Sequence, residues 1–379
     1  MSILRNLAVT DWRGARFAPV EQAGIALTGR MPMAALDFGA RVWRLAGRSG
    51  ANPVQAGRLD LSALEGATPG LVLEPSRTNL VFPSTVAPTG WGVNGGSGIA
   101  VNPGPAFGGI AGAVITSGTS DWGRAFGNPM TLTSGVSYAV SVWVAAGTSG
   151  KVRIELFGTG IDAIVSGTFG ALGATYQAGA AVSNLSQTDL GGVWCIRFRV
   201  LPSVTATNVT LGIGPSSSVA GKTVLAHAAQ VEVAERASSP IATTTAPVTR
   251  AADAPVLPLG PWFNGAAGAL RLAVLPLGPE AQTLAQLTDS ADAALLTLGI
   301  NGAGFVTLTG AGVALTSASA IAPGGAQAVQ IGWGPAGTQL RLGAASVLGG
   351  ALTLPTAAKL RFGPANALVQ SLYLWDRQV

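Results

Sequence analysis

The stretch Gly70–Ser84, GLVLEPSRTNLVFPS, marks the point at which the sequence changes character. Before it lies an Arg-rich segment with little regular pattern. After it, short alternating apolar runs are separated by Gly, Pro, Ser and Asn. The stretch itself holds the apolar run Leu71–Leu73, the carboxylate of Glu74 and then Ser-Arg-Thr-Asn. A second stretch, Ala229–Pro255, reads AQVEVAERASSPIATTTAPVTRAADAP. We expect these two stretches to bracket one β domain.

The pair of stretches resembles phage fibre and spike proteins, whose first β domain opens with GLLLE-x-x-RTNLL-x-S and closes with AQLE-x-G-x-x-x-TSYIPT…VTRAAD. The residues that match the opening are Leu73, Glu74, Arg77, Thr78, Asn79 and Leu80. Those that match the close are Ala229, Gln230, Glu232, Ser239, Pro240, Ile241, Thr249, Arg250, Ala251, Ala252 and Asp253. The departures are Val231 and Ala242. The resemblance spans residues 70–253 and implies a receptor-binding or adsorption module of a virus particle.

The composition bounds the class of protein. The chain has 379 residues, enough for two or three domains with buried cores. Charged residues are only 10%, against about 25% in an ordinary globular domain. Apolar residues are 48%, so the chain can bury enough surface to fold. Its 53 Gly and 23 Pro stay below the level of roughly 25–30% that is typical of disordered chains.

Arg carries most of the positive charge. Lys occurs only at positions 151, 222 and 359, and nine of the Arg lie within residues 1–77 among six carboxylates. Arg makes planar bidentate contacts that Lys cannot, so this segment is expected to make many specific hydrogen bonds. A codon bias towards Arg, Ala and Gly would produce the same excess. With a net charge of +5 and no basic cluster on one element, we do not expect nucleic-acid binding.

Cysteine content and hydropathy narrow the class further. The single Cys195 leaves no intrachain disulfide and no thiolate metal cluster. Asp11, Arg13 and Arg16 interrupt the first apolar runs, so we expect no signal peptide and synthesis in the bacterial cytoplasm. Residues 293–340 lack charged side chains, yet polar residues and Gly interrupt them every few positions. A spanning helix needs about 20 predominantly apolar residues, so no membrane insertion is expected.

The pattern predicts an all-β protein with an N-terminal attachment arm and two β-sandwich domains. Residues 1–69 have few periodic runs and are expected to dock on other virion proteins or sister subunits. A small irregular subdomain covering the next domain is the alternative. Residues 70–235 are predicted to form a jelly roll of the carbohydrate-binding-module type, residues 236–256 a linker, and residues 257–379 a sandwich similar to concanavalin or laminin G domains.

Alternating apolar residues define the strands of both predicted sandwiches. In the first, the candidates are Val136–Ala145, Val152–Phe157, Trp194–Val200 and Thr223–Val233. In the second, they are Ala269–Leu275, Thr283–Leu287, Ala294–Ile300, Gly304–Thr309, Ala328–Gly334, Gln339–Gly343, Lys359–Gly363 and Val369–Trp375. Helical periodicity is weak throughout.

Most catalytic patterns are missing from the sequence. His227 is the only histidine. It shares strand parity with apolar residues, and no G-x-S-x-G elbow accompanies it, so a packed or interface histidine is expected. No phosphate-binding loop is present. The carboxylates Glu155, Asp162, Asp189 and Glu232 are candidates for a glycosidase pair, but no spacing pairs them. The sequence therefore predicts a protein without enzymatic activity.

Aromatic and Arg residues on the non-core parity of the strands predict a sugar-binding face, because aromatic rings stack on sugar rings and Arg bonds their hydroxyls. Trp143 lies opposite the Val stripe of its own strand, and an exposed Trp needs a contact. Packing of Trp143 under a loop or a subunit neighbour is the alternative. The candidate carbohydrate-binding residues are Trp143, Trp122, Arg124, Arg153, Arg197 and Arg199. No cofactor is expected; a structural calcium ion suits such sandwiches, but no Asp cluster argues for one.

The sequence thus favours a homo-oligomeric fibre or spike subunit of a phage or gene-transfer-agent particle. Its expected partner is a host-surface glycan, such as capsule or lipopolysaccharide, bound multivalently. A tail fibre and a head spike are both compatible. Two alternatives stay open: a polysaccharide depolymerase, and a structural decoration protein without a ligand.

Overall fold

A computed structural model describes residues 34–37, 42–44, 70–104, 106–107, 110–120, 123–253, 256–259 and 263–375. The regular elements in these ranges are β-strands, which confirms the predicted all-β class. Within the same ranges, no helix has the length and apolar character needed to span a membrane. Of the predicted attachment arm, only the strands at 34–37 and 42–44 fall in the described residues.

The described residues form two compact units, and one is inserted into the other. Residues 76–251 form the first, which we call the inserted unit. Residues 70–75 and 252–375, together with the strands at 34–37 and 42–44, form the second, which we call the split unit. The sequence predicts boundaries after residues 69, 235 and 256, whereas the structure divides the chain after Pro75 and Ala251.

Twenty-nine strands are described. Three precede the inserted unit: β1 (Ala34–Asp37), β2 (Val42–Arg44) and β3 (Gly70–Leu73). The inserted unit contains β4 (Arg77–Asn79), β5 (Gly92–Val93), β6 (Gly98–Val101), β7 (Ala113–Thr116), β8 (Ala125–Phe126), β9 (Met130–Leu132), β10 (Tyr138–Ala146), β11 (Lys151–Thr159), β12 (Ile161–Thr168), β13 (Ala171–Ala178), β14 (Ala180–Asp189), β15 (Val193–Pro202), β16 (Ala206–Pro215), β17 (Thr223–Val233) and β18 (Val248–Arg250). The split unit continues with β19 (Val256–Pro258), β20 (Gly268–Pro276), β21 (Gln282–Thr288), β22 (Ala294–Ile300), β23 (Phe305–Gly310), β24 (Val313–Ala320), β25 (Gln327–Trp333), β26 (Thr338–Leu342), β27 (Ala345–Gly349), β28 (Lys359–Phe362) and β29 (Ala367–Trp375).

The inserted unit is a sandwich of two antiparallel sheets. The front sheet has the order β13-β12-β11-β16-β8-β5, with β9 also paired to β16. The back sheet has the order β14-β15-β10-β17-β7-β6. Alternate residues of each strand point between the sheets, because successive side chains of a strand face opposite ways. Val140, Val142 and Val144 of β10 enter one buried cluster with Ile154 and Leu156 of β11.

The split unit also has two sheets and its own core. One sheet has the order β2-β3-β29-β20-β25-β26-β27, with β1 also on β29, and the other β19-β28-β21-β22-β23-β24. β3 pairs with β29, and Leu73 is fully buried in the core of this unit. The apolar run that opens the GLVLEPSRTN stretch therefore belongs to the split unit, while Arg77–Asn79 belongs to the inserted unit.

The two stretches that stand out in the sequence are bonded to each other. β4 pairs with β18, and the hydroxyl oxygens of Thr78 and Thr249 lie 2.7 Å apart. Before this pair, Asp253 accepts a hydrogen bond from the backbone N–H of Glu74 at 3.0 Å, and its own N–H donates to the Glu74 carbonyl at 2.8 Å. The stretches thus pair with each other in the split unit, at Glu74 and Asp253, and in the inserted unit, at β4 and β18.

Asn79 lies in β4, whose pairing with β18 we call the clasp. Its side chain is fully buried. Its Oδ1 accepts hydrogen bonds from the backbone N–H groups of Val81 and Val231 at 3.0 and 3.2 Å. Its Nδ2 donates to the carbonyls of Ile241 and Ala229 at 2.9 and 3.4 Å. One side chain therefore ties together β4, β17 and the segment that follows β17.

Residues 236–250, predicted to be a linker, pack on the outer surface of the back sheet. Ser238, Ser239, Ile241 and Thr243 are buried there. The Glu232 carboxylate accepts from the N–H and hydroxyl groups of Ser238. Burial raises the pKa of the Glu232 carboxyl, and these hydrogen bonds offset part of that rise. The segment is thereby fixed to the sheet by buried polar contacts.

Candidate functional site

The outer surface of the front sheet carries the candidate site. Cross-strand partners in a sheet point to the same side, so the register places the outward residues of neighbouring strands in rows. The outward residues, which we call the front face, are Lys151, Arg153, Glu155 and Phe157 of β11, Asp162, Ile164, Ser166 and Thr168 of β12, Tyr176 of β13, and Thr210, Gly212 and Gly214 of β16.

Two aromatic rings stand out of the front face. Phe157 is 49% exposed and Tyr176 is 52% exposed. No other aromatic side chain described by the structure belongs to the exposed class. Tyr176 is paired with Ile164, and Phe157 with Asp162 on the same neighbouring strand. The two rings therefore flank a short stretch of β12, where they can meet a flat ligand.

A buried charge cluster lies beside the rings. Glu155 Oε2 is 2.8 Å from Arg124 Nη1 and 3.1 Å from Arg153 Nε. The Arg124 guanidinium lies over the Phe157 ring, 5.5 Å from its centroid, within the range of a cation–π contact. Burial raises the pKa of the Glu155 carboxyl, and the two guanidinium groups offset part of that rise. Burial lowers the pKa of Arg124, which Glu155 partly offsets.

Glycines on β16 let Arg124 reach this position. A Cβ atom at Gly212 would collide with the Arg124 side chain, and one at Gly214 would collide with the carbonyl of Gly123. The absence of side chains at these two positions leaves room for the guanidinium to lie across the sheet towards Glu155. Glycine at these two positions therefore allows residues 123 and 124 to approach β16 closely.

Asp162 supplies an unused acceptor. Its Oδ1 atom is buried and has no hydrogen-bond partner among the described residues. It is the cross-strand partner of Phe157 and lies diagonally from Glu155 on the same face. An unsatisfied buried carboxylate oxygen is costly. The hydroxyl group of a ligand bound to the front face would satisfy this oxygen by donating a hydrogen bond to it.

The six predicted sugar-binding residues do not come together. Arg124 and Arg153 lie on the front face side of the sandwich, whereas Trp143, Arg197 and Arg199 lie on the back sheet, because β10 pairs with β15 and not with β11. Arg199 Nε is 2.8 Å from Ser137 Oγ and 2.9 Å from a Glu235 carboxylate oxygen. Trp122 lies outside the described residues.

The expectation that Trp143 is exposed is wrong. Trp143 is 1% exposed and packs with Cys195 and Ala228 on the outer surface of the back sheet. Phe107 and Ile110 cover one side of this cluster, and Leu190 and Val193 also pack against it. Strand parity identified the outward side correctly, but loops cover that side. The alternative of packing under a loop describes Trp143.

His227 lies under the same covering loop. Its ring is 5.7 Å from the Phe107 ring, its Nδ1 is 3.2 Å from the carbonyl oxygen of Ile110, and the side chain is buried. It is the only histidine of the chain. Burial lowers its pKa below the ordinary 6.5, and the Ile110 carbonyl offsets part of the effect. His227 is thus a packed residue away from the front face.

This lowered pKa predicts an acid-sensitive covering loop. As the pH falls through 6.5, the unfolded chain binds a proton before the folded one does, so the folded state loses stability. We expect the melting temperature of wild type minus that of His227→Gln to decrease between pH 7.5 and 5.5. Thermal melts in matched buffers measure it. A difference that stays constant over this range would contradict the prediction.

The four candidate carboxylates also lie in different parts of the inserted unit. Glu155 and Asp162 share the front face. Asp189 accepts hydrogen bonds from the N–H groups of Gly191 and Gly192 in a turn. Glu232 accepts hydrogen bonds from Ser238 on the outer surface of the back sheet. In the described residues, no three His, Cys, Asp or Glu side chains come together as a metal site.

Several solved structures are similar to this chain at low sequence identity. No protein-family model matches the chain, and no curated protein matches it. Among solved structures, the chain is similar to the Caenorhabditis elegans galectin LEC-6, with 16% identity, TM-score 0.25, 31% of this chain and 88% of the galectin covered. It is similar to the CBM22-1–CBM22-2 tandem domain of Paenibacillus barcinonensis Xyn10C, with 11% identity, TM-score 0.27, and 82% and 98% covered. At these values the likenesses carry no argument.

A third likeness corrects a prediction. The Trypanosoma rangeli sialidase in complex with sialic acid matches with 11% identity and a TM-score of 0.29, covering 75% of this chain and 51% of the sialidase. The prediction that the chain has no enzymatic activity is therefore corrected, because catalysis is not excluded. A likeness this low assigns no activity to the chain either, so catalysis has to be measured.

Proposed function

We propose that this protein binds a polysaccharide on the front face of the inserted unit. The observation that carries the proposal is the pair of exposed rings, Phe157 and Tyr176, beside a fixed cluster of charged groups. Sugar rings present flat C–H faces to aromatic rings and hydroxyl groups to charged ones. Ligand sites combine a few placed polar groups with apolar surface in this way.

The wider role that we propose is adsorption of a phage or gene-transfer-agent particle to its host. This part is supported by the resemblance of the two sequence stretches to fibre and spike proteins. We place the protein in the virion as a homo-oligomer attached through residues 1–69, with host-surface capsule or lipopolysaccharide as its partner. Several copies would raise the avidity of weak individual sites by about 10²–10⁴.

Replacement of the two rings tests the binding face. We expect Phe157→Ala combined with Tyr176→Ala to weaken binding to purified host polysaccharide about 30-fold, since truncating central binding residues costs about 2 kcal/mol. Both side chains are half exposed, so the melting temperature should stay within about 2 °C of wild type. Affinity electrophoresis in gels containing the polysaccharide measures the binding.

Leu348→Ala is the matched control. Leu348 is 73% exposed and lies in the split unit. The Leu348 variant removes exposed apolar surface without touching the front face, so its affinity should equal that of wild type. Equal binding by the double variant and wild type would show that the front face does not bind the polysaccharide. No binding by wild type to any host glycan, with tight binding to particles, would favour a ligand-free decoration protein.

Cleavage of the bound glycan is the second candidate function. Glu155 and Asp162 are diagonal neighbours on one face, and such positions lie roughly 7–8 Å apart, within the range that glycoside hydrolysis uses. Against this role, two Arg side chains hold the Glu155 carboxylate. Release of reducing ends by substoichiometric protein, lost in Asp162→Asn, would establish the depolymerase.

A further inference from the structure

One end of the front face opens into a cleft lined by hydroxyl and Lys side chains. It has a volume of about 620 Å³ and lies where the loops 147–150 and 216–222 meet the end of β12. Six hydroxyl side chains, Gly150 and two Lys line it. These lysines, Lys151 and Lys222, are two of the three Lys in the sequence. No carboxylate lines the cleft.

Several of these donors are unused. The hydroxyl of Ser149 donates to the Lys151 carbonyl, and that of Thr148 lies 3.2 Å from the Thr223 hydroxyl. In contrast, the hydroxyl groups of Thr168, Ser216 and Ser218 make no hydrogen bond within the part of the chain that the structure describes. No ion pair joins Lys151 or Lys222 to a described carboxylate. Ammonium and hydroxyl donors converging without a negative partner suit an oxyanion.

The cleft is continuous with the front face. Lys151 is paired with Thr168, and it has the same strand parity as Arg153 and Phe157. From Lys151 to Phe157 the strand advances six residues, about 20 Å. An extended oligosaccharide can therefore contact the rings at one end and the cleft at the other.

We propose that Lys151 and Lys222 form an anion subsite, so that the preferred ligand is an acidic polysaccharide whose units bear a carboxylate or sulfate group. This inference rests on the proposed glycan-binding function and specifies its ligand class. The rings supply affinity for any sugar chain. The cleft supplies the preference for a charged unit, because a neutral unit leaves its donors without the oxyanion.

The test compares matched charged and neutral polymers. The probes are polygalacturonate against its fully methyl-esterified form, and dextran sulfate against dextran, each titrated by calorimetry at fixed ionic strength. We expect the full chain to bind the charged member of at least one pair more tightly. Lys151→Gln combined with Lys222→Gln should reduce that preference about tenfold, and the pair affected identifies carboxylate or sulfate as the recognised group.

Lys359→Gln is the control for loss of a Lys charge outside the cleft. Lys359 lies in the split unit, 2.7 Å from Asp292, so its loss should leave the preference unchanged. Equal affinity of wild type for charged and neutral polymers would overturn the anion subsite and leave the front face intact. A preference that survives the double Lys variant would also overturn it. Wild type that binds none of the four polymers would overturn the anion subsite, whereas the glycan-binding function fails only if wild type also does not bind purified host polysaccharide.

Discussion

Replacing Asn79 with Ala is expected to destabilise the inserted unit by about 3–5 kcal/mol. The change leaves the N–H groups of Val81 and Val231 and the carbonyl of Ile241 without their partner inside a buried region, and each unsatisfied buried group costs about 1–3 kcal/mol. Nearby groups can recover part of this cost. Hydrogen exchange of the β10 and β17 amides under native conditions measures the loss.

Thr78→Val is the matched control for Asn79. Thr78 precedes Asn79 in the same strand, and its hydroxyl makes a single bond to Thr249 at the surface of the clasp. Its loss should cost about 1 kcal/mol. If Asn79→Ala costs no more than Thr78→Val, the buried network does not hold the inserted unit together.

Replacing Leu73 with Asp is expected to unfold the split unit and to leave the inserted unit folded. Leu73 is fully buried in the core of the split unit, although it lies only three residues before residue 76. An unpaired carboxylate there should cost more than about 4 kcal/mol. Hydrogen exchange resolved by peptide should show loss of protection in residues 263–375 and retained protection in residues 76–251.

Val81→Asp gives the reciprocal control. Val81 is also fully buried, but in the core of the inserted unit. Its replacement should remove protection from residues 76–251 and leave residues 263–375 protected. Loss of protection in the inserted unit on Leu73→Asp would contradict the assignment of β3 to the split unit.

Much of the fold could be predicted from alternation. All eight strands predicted for residues 257–379 overlap strands of the structure. Alternation along Tyr138–Val144 also identified which side chains enter the core. The edge strands β13 and β14 were missed, because both of their sides are partly exposed and the apolar contrast disappears.

The candidate site was predicted less well, for two physical reasons. Parity tells which side of a strand a residue faces, but it does not tell which sheet the strand joins. Arg153 and Arg197 both face outward, yet they lie on different sheets. Parity also cannot show that a loop covers the outer side, as at Trp143. Phe157 was visible on the outward parity beside Arg153, and its exposure was the missing information.

By itself, the sequence determined that the chain forms β-sandwiches and that two distant stretches belong together, because both follow from local alternation and from recognisable residues. Tertiary structure alone decided how those stretches are used. It assigned Leu73 and Asn79, six positions apart, to different units. It also gathered Phe157, Tyr176, Lys151 and Lys222 along one side of the sandwich. The reason is that cross-strand register and loop covering join residues far apart in the chain, and no local pattern encodes those pairings.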